Sequence, residues 1–330
     1  MCNCMCTAVS CCIKHHYFGR NLDLDYGYDE QIVITPRNYK LKFRCCETPI
    51  QQLSMIGIAT VCDGYPLYYE ATNEAGLSVA GLNFPGNAVY QKQINNADNI
   101  APFEFIPWVL SQCRTVEQAS ALLEKTNICT IPFNDAFSLS PLHWIIADRE
   151  KSITVEPMNE GLVICENPVG VLTNNPPFDY HMHNLANYLN LTPNEPVNRF
   201  SDKLTLKPYS LGMGAIGLPG DFSSASRFIR AAYVKSNITT PDSEQDCVGQ
   251  MFHILTSVAQ YEGCVAASRG FEKTRYTCCC NTEKGIFYYS TYENRQINAI
   301  SMREKNLDHS ELIAYPMLSN QNIRWQARKQ

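Results

Sequence analysis

The first twelve residues, MCNCMCTAVSCC, hold five cysteines, and Cys2, Cys4 and Cys6 are spaced by two. In an extended segment that spacing puts all three thiols on one face. Downstream, FGRNLD carries Arg20 and Asp23 on an otherwise apolar run. Such a pair is more often a plain ion pair than a site. A cysteine that begins the mature chain shifts that balance, because it holds two reactive groups. Its thiolate is a nucleophile, and its α-amine, with a reference pKa of about 8, can accept and return the proton. Arg20 beside the sulfur is expected to favour the thiolate by charge attraction, and Asp23 to hold and orient the ammonium. This chemistry needs no histidine. The seven histidines show no base or metal pattern: His15 and His16 sit at a polar turn, and His143, within PLHW, reads as a core residue. Position relative to Arg20 and Asp23 does not choose among Cys2, Cys4 and Cys6.

The elements that must position these residues are mostly short strands. Residues 5–13 and 17–23, separated by the polar tip Lys14-His15-His16, predict a hairpin. Further strands are expected at 31–35, 40–43, 55–62, 67–70 and 77–82, with Gly- and Pro-containing turns between them. Thr115 and Gln118 form a capping-box pattern before a helix over 116–125, where Val116, Ala119, Leu122 and Leu123 share a face. Strands at 144–147, 153–156, 161–165 and 170–173 follow, then helices over 224–234 and 247–258. The run GIFYYSTYENRQINAISM from Gly285 predicts a last hairpin turning at Glu293-Asn294-Arg295. Strands in hairpin groups with helices between the groups give an α+β chain of antiparallel sheets covered by helices, read as one domain over residues 1–330. LGMGAIGLPG from Leu211 has glycines but no strand feeding it, which argues against a nucleotide site.

Composition narrows the partners. The chain has 330 residues, 45% hydrophobic and 18% charged, with a formal net charge of −5. That is a large packed domain with no basic run for nucleic acid. No stretch of about 18 apolar residues argues for a membrane span, and no signal-peptide pattern is visible. Of the sixteen cysteines, several are adjacent, as in Cys11-Cys12, Cys45-Cys46 and Cys278-Cys279-Cys280. Neighbours on a strand point to opposite faces, so they do not make a disulfide framework. A reducing, cytoplasmic setting is expected, with most thiols acting as small buried hydrophobes. No cofactor and no metal is expected; a Cys-x-Cys-x-Cys metal site lacks a second ligand pair at zinc-type spacing.

The chain resembles the choloylglycine hydrolases. MCTAVS from Met5, FGRNLD from Phe18, ITPRNY from Ile34, NEAGLSVAGLNFPG from Asn73, PLHWIIAD from Pro141, GVLTNNP from Gly170, GLPGDFSSASRFIRAAY from Gly217 and EKGIFYYSTYENRQINAISM from Glu283 carry the likeness in order, over essentially the whole chain. The resemblance implies an N-terminal-nucleophile hydrolase with an αββα sandwich. It matches the cysteine nucleophile to Cys6, and the arginine and aspartate that tune the thiol and hold the amine to Arg20 and Asp23. It matches the oxyanion donors to Asn83 (backbone N–H) and Asn174 (side-chain amide), and a charge-stabilising arginine to Arg227. Taken alone, Asn83 and Asn174 are ordinary turn residues and Arg227 a solvated helix charge; six positions matching in order favour the catalytic reading.

GLNFPG at Asn83 and the closing hairpin resemble bile salt hydrolases, where penicillin V acylases tend to carry tyrosine at the Asn83 position. The implied substrates are glycine- and taurine-conjugated bile salts, with penicillin V acylase activity as the alternative and a homotetramer as the implied assembly. Loops near 1–6, 62–65 and 133–139 are candidates for an apolar steroid groove. One departure stands out, because the family expects the nucleophile straight after the initiator methionine. Here residues 1–5 precede Cys6, so three routes are open: translation from Met5, removal of the extension, or use of Cys2. An inactive binding relative, its thiol blocked by the extension, is the competing class.

Overall fold

The computed structural model describes residues 5–326. In chain order the strands are β1 (Cys6–Ile13), β2 (His15–Leu24), β3 (Gln31–Thr35), β4 (Met55–Cys62), β5 (Tyr65–Asn73), β6 (Ser78–Asn83), β7 (Asp98–Ile100), β8 (Thr126–Ile128) and β9 (Leu142–Ala147). They continue as β10 (Ser152–Met158), β11 (Gly161–Glu166), β12 (Val171–Leu172), β13 (Ala266–Ala267), β14 (Gly270–Phe271), β15 (Lys273–Asn281), β16 (Ile286–Thr291), β17 (Asn298–Ser301) and β18 (Ile313–Pro316). The helices are α1 (Phe105–Gln112), α2 (Val116–Leu123), α3 (Phe178–Leu185), α4 (Ser224–Asn237) and α5 (Glu244–Thr256). One antiparallel sheet runs β12-β1-β2-β15-β16-β17, and a second runs β11-β10-β9-β6-β5-β4-β3-β18. Helices α4 and α5 cover the first sheet, and α1 and α2 the second, which gives the expected αββα sandwich.

Period-2 alternation explains the layering. In the eight-stranded sheet Ile32, Ile34, Ile56, Ile58, Ala80, Leu82, Ile145 and Ala147 point to the inter-sheet core. Their neighbours Val33, Met55, Ala59, Val79, Trp144 and Ile146 point to the core under α1 and α2. A strand buried on both faces needs apolar residues at nearly every position, and each such side chain contributes about 1.5–3 kcal/mol when fully buried.

The expected first and last hairpins form. Thr115 caps α2, its hydroxyl accepting from the Gln118 N–H, while the Gln118 side chain accepts from the Arg114 N–H rather than from the cap residue itself. One expectation fails: residues 40–43 are not a strand. The edge of β3 they would join is taken by β18. Leu41 is instead buried as a loop anchor, and Phe43 packs edge-on against Trp108 at 5.2 Å. The fourteen described cysteines are free thiols.

Candidate active site

Strand parity decides what each residue of the first hairpin faces. Cys6 lies opposite Leu22, and Ala8 opposite Arg20, which in turn lies opposite Cys278 of β15. Partners across a sheet share a face, so Cys6 and Arg20 both point between the sheets. Asp23, three residues from Arg20, points the other way, with Thr274 as its register partner. The pair therefore splits: Arg20 faces the Cys6 side chain, and Asp23 sits by its backbone end.

Arg20 is fully buried and bridges the sheets. Its Nη1 donates to Tyr69 O at 2.9 Å and Gly81 O at 2.8 Å, both on the eight-stranded sheet. Glu70 lies 3.5 Å away, and it also accepts from Tyr276 Oη at 2.8 Å and from Cys278 Sγ at 3.4 Å. Strand β4 closes on Glu70 only because residue 57 is glycine. A Cβ there would lie 2.0 Å from Glu70 O.

Arg227 enters from α4, whose N-cap Ser223 accepts from the Ser226 N–H. It is fully buried, not a solvated helix charge. Its Nη1 donates to Cys6 O at 2.5 Å and to Thr7 Oγ1 at 2.7 Å, and its Nη2 donates to Asn174 Oδ1 at 2.7 Å. The Cys6 N–H donates to the same Oδ1 at 2.8 Å, while Asn174 Nδ2 donates to Asn83 O at 2.8 Å. With two donors on Oδ1 and an acceptor at Nδ2, the amide has one consistent orientation. Its backbone is held as well, by Ser224 Oγ at 2.8 Å and by His181 Nε2 at 2.9 Å. Of the residues matched alongside Cys6, Asn174 and Arg227 bond its backbone, Arg20 faces its side chain, and Asn83 is linked to it through Asn174.

Residues 1–4, and with them Cys2 and Cys4, lie outside the described part. Met5 does not: its carbonyl accepts from the Asp23 N–H at 3.0 Å, and its N–H donates to Glu272 Oε1 at 2.6 Å. Asp23 Oδ1 accepts from Thr274 Oγ1 at 2.6 Å, while its Oδ2 is buried without a partner among the described residues.

Electrostatics amend one expectation. Burial raises the Cys6 thiol pKa, and this outweighs the opposing pull of Arg20, with Asp23 adding to the rise and Arg227 opposing it. Arg20 alone does not tip the sulfur to thiolate; a proton acceptor at its side has to take the proton. Burial likewise pushes Asp23 up to about 6, against Arg227, Thr274 and Arg20. His143 is a core residue, stacked on Phe84 at 4.2 Å and bonded to Glu156. Among the described residues no group of three or more His, Cys, Asp or Glu is placed to hold a metal ion.

Beside the site is an apolar cavity lined by Tyr28, Phe103, Phe133, Phe137, Leu139 and Leu142, together with Tyr69 and Gly81. The last two are the carbonyls that hold Arg20, so the cavity wall and the Arg20 anchor are the same residues. Loop 133–139 lines the cavity as expected; 62–65 does not, and its place is taken by Thr60, Leu67 and Tyr68. Behind Tyr28, which lines the cavity, Tyr26 meets it edge-on, and the Arg269 guanidinium lies over the Tyr26 ring at 4.6 Å. Glu70, Thr274 and Glu272 were not singled out in the sequence. The only local hint was a polar residue within an apolar strand, which Glu70 is in YPLYYEATN.

The chain is similar to known proteins along nearly its whole length. The family model for linear amide C–N hydrolases of the choloylglycine hydrolase family matches residues 6–315. A bile salt hydrolase/transferase of Lactiplantibacillus plantarum is 48% identical over 316 residues, 96% of this chain and 98% of that one. Another, of Clostridium perfringens, is 39% identical over 94% of this chain and 96% of its own. A solved structure of a mutant conjugated bile acid hydrolase from Clostridium perfringens superposes with a TM-score of 0.89 at 37% identity, covering 97% and 99% of the two chains. A penicillin V acylase from Agrobacterium tumefaciens shares the fold, with a TM-score of 0.74 at 17% identity over 96% and 92% of the chains.

Proposed function

This chain belongs to the choloylglycine hydrolase family of linear amide C–N hydrolases, and from that premise we propose that it cleaves the amide bond of glycine- and taurine-conjugated bile salts with Cys6 as nucleophile. The observation that carries the reading is the convergence of Arg20, Asp23, Asn83, Asn174 and Arg227 on one cysteine at the head of β1. Two kinds of support favour bile salts over penicillin V. The cavity is apolar and aromatic, as a steroid requires. The Lactiplantibacillus and Clostridium relatives, both above 30% identity, carry bile salt names, whereas the penicillin V acylase shares only the fold.

In the mechanism proposed, loss of residues 1–5 frees the Cys6 α-amine. The amine takes the thiol proton as Sγ attacks the substrate carbonyl carbon. Asn83 and Asn174 donate to the oxyanion, where preorganised donors act most strongly. The resulting ammonium, held by Asp23 Oδ2, which has no partner among the described residues, passes its proton to the leaving nitrogen. The C–N bond breaks, the amino acid departs, and a thioester remains. Water then gives a proton to the same amine, its oxygen adds to the thioester carbon, and the C–S bond breaks to release the bile acid and the thiol. Arg20 faces the sulfur, and Arg227 fixes the Cys6 backbone and Asn174.

We further propose a cytoplasmic homotetramer. No helix among the described residues is long and apolar enough to cross a membrane. Between α3 and α4, Leu189, Val197, Phe200, Tyr209 and Leu211 are each at least 77% exposed, an apolar arm suited to a second copy. The test of the activity is release of glycine from glycocholate. Cys6→Ala abolishes it and Cys4→Ala does not; equal activity in the Cys6→Ala protein overturns the assignment.

A further inference from the structure

Arg20 places a full positive charge against Cys6 inside the protein, and the carboxylate at ion-pair distance from it is Glu70, at 3.5 Å. Glu70 is 2% exposed, on β5 of the opposite sheet. The groups that face it come from three other strands. They are Arg20 from β2, Tyr276 and Cys278 from β15, and the Ile58 backbone from β4, with Tyr69 beside it on its own strand. Arg20 is the largest charge acting on Cys6, and Glu70, its ion partner, offsets that charge. The Tyr69 and Gly81 carbonyls keep Arg20 in place whether or not Glu70 is charged.

We propose that Glu70 is a positioning residue that sets how much of the Arg20 charge the Cys6 sulfur feels: ionised, it offsets that charge, and protonated, it leaves it uncompensated. This rests on the reading of Cys6 as the nucleophile. Opposite charges a few ångströms apart in a buried site interact more strongly than in water, so the offset is large enough to matter. Burial pushes Glu70 up to about 7, against Arg20 and the Tyr276 and Cys278 hydrogen bonds, so both forms are populated near neutrality. The sign follows. As pH falls through that value, Glu70 takes up a proton and the freed Arg20 charge favours the thiolate more strongly. The coupling extends the nucleophile toward lower pH.

The test is the pH dependence of iodoacetamide alkylation of Cys6 in the purified enzyme, followed by mass spectrometry of the peptide containing it. Glu70→Gln keeps the shape and removes the charge. It is expected to lower the apparent Cys6 pKa measured where wild-type Glu70 is ionised, so that alkylation at about pH 8 speeds up about tenfold for every pH unit by which that pKa falls, while at about pH 6, where wild-type Glu70 is already mostly protonated, the two rates converge. In an Arg20→Gln background Glu70 loses the charge that best holds its buried carboxyl ionised and stays protonated, so the same change is expected to have no further effect. Tyr276→Phe keeps both charges but removes a donor to the ionised carboxylate, so Glu70 holds its proton to higher pH. A smaller fall in the Cys6 pKa is expected, and this variant decides the matter if Glu70→Gln does not fold. An unchanged or raised Cys6 pKa in the folded variants overturns the proposal, as does a Glu70→Gln effect that persists without Arg20. Failure of the underlying reading looks different: wild-type Cys6 then shows no faster alkylation than the other thiols.

Discussion

Thr274 offers a severe test of how the amine end of the site is held. Its hydroxyl donates to Asp23 Oδ1 at 2.6 Å and accepts from the Gln260 N–H at 2.7 Å. Thr274→Val removes both interactions with almost no change of shape. Hydrogen bonds to charged groups contribute about 1.5–3 kcal/mol, which corresponds to about 1–2 pKa units. The lost donor stabilised only the ionised carboxylate, so the Asp23 pKa moves up from a value that burial has already raised to about 6. A free ammonium at Cys6 lowers that pKa in wild type and variant alike, so the difference survives. The acid limb of kcat/KM against pH, measured with a conjugated bile salt, is expected to move about 1–2 units upward. On that limb the valine variant is about ten- to a hundredfold slower than wild type at equal pH. The orphaned Gln260 N–H also costs stability, about 1–3 kcal/mol, read as a lower urea midpoint. Thr274→Ser keeps donor and acceptor and restores both readouts. A folded valine variant whose acid limb coincides with wild type refutes the role given to Asp23.

Three other outcomes are expected. Arg227→Lys keeps the charge but loses the fork that reaches Cys6 O, Thr7 and Asn174 together. kcat/KM falls by about a hundredfold, the equivalent of about 3 kcal/mol; activity within twofold of wild type contradicts the arrangement. Phe137→Ala opens the aromatic wall of the cavity, raising KM for a conjugated bile salt by about 10–100-fold with little change in kcat, since a buried phenylalanine contributes about 1.5–3 kcal/mol of binding common to substrate and transition state. An unchanged KM places the steroid elsewhere. If the proposed tetramer forms through the exposed arm, Leu211→Asp lowers the mass measured by light scattering relative to wild type, and an unaltered mass excludes the arm from the interface.

Much of this site was legible because its residues announce themselves locally. MCTAVS and FGRNLD lie on adjacent strands of one hairpin, and strand period alone relates their faces. What sequence could not give is the depth of the charges. In SASRFIRAAY nothing separates a buried arginine from a solvated one, yet Arg227 is as inaccessible as Phe228 beside it. Partners far apart in the chain were also hidden. Thr274 is 251 residues from Asp23, and Tyr276 is 206 from Glu70. Both depend on β15, whose KTRYTCCCN shows no alternation. A strand between β2 and β16, with a sheet on one face and α5 on the other, has no solvent side to mark with polar residues. Helix α1 escaped for a related reason: FIPWVLSQ is buried nearly all round, and Pro107 falls in its first turn, where the missing N–H has no helical partner.

The central claim is that Cys6, as first residue of the mature chain, carries the acyl group. The direct measurement is acid quenching of the enzyme during turnover of glycocholate, followed by intact and peptide mass spectrometry. The account predicts a chain beginning at Cys6 that gains one cholyl thioester on its N-terminal peptide and loses it on further incubation. An adduct on any other residue, or full turnover by a chain that still carries Met5, contradicts it.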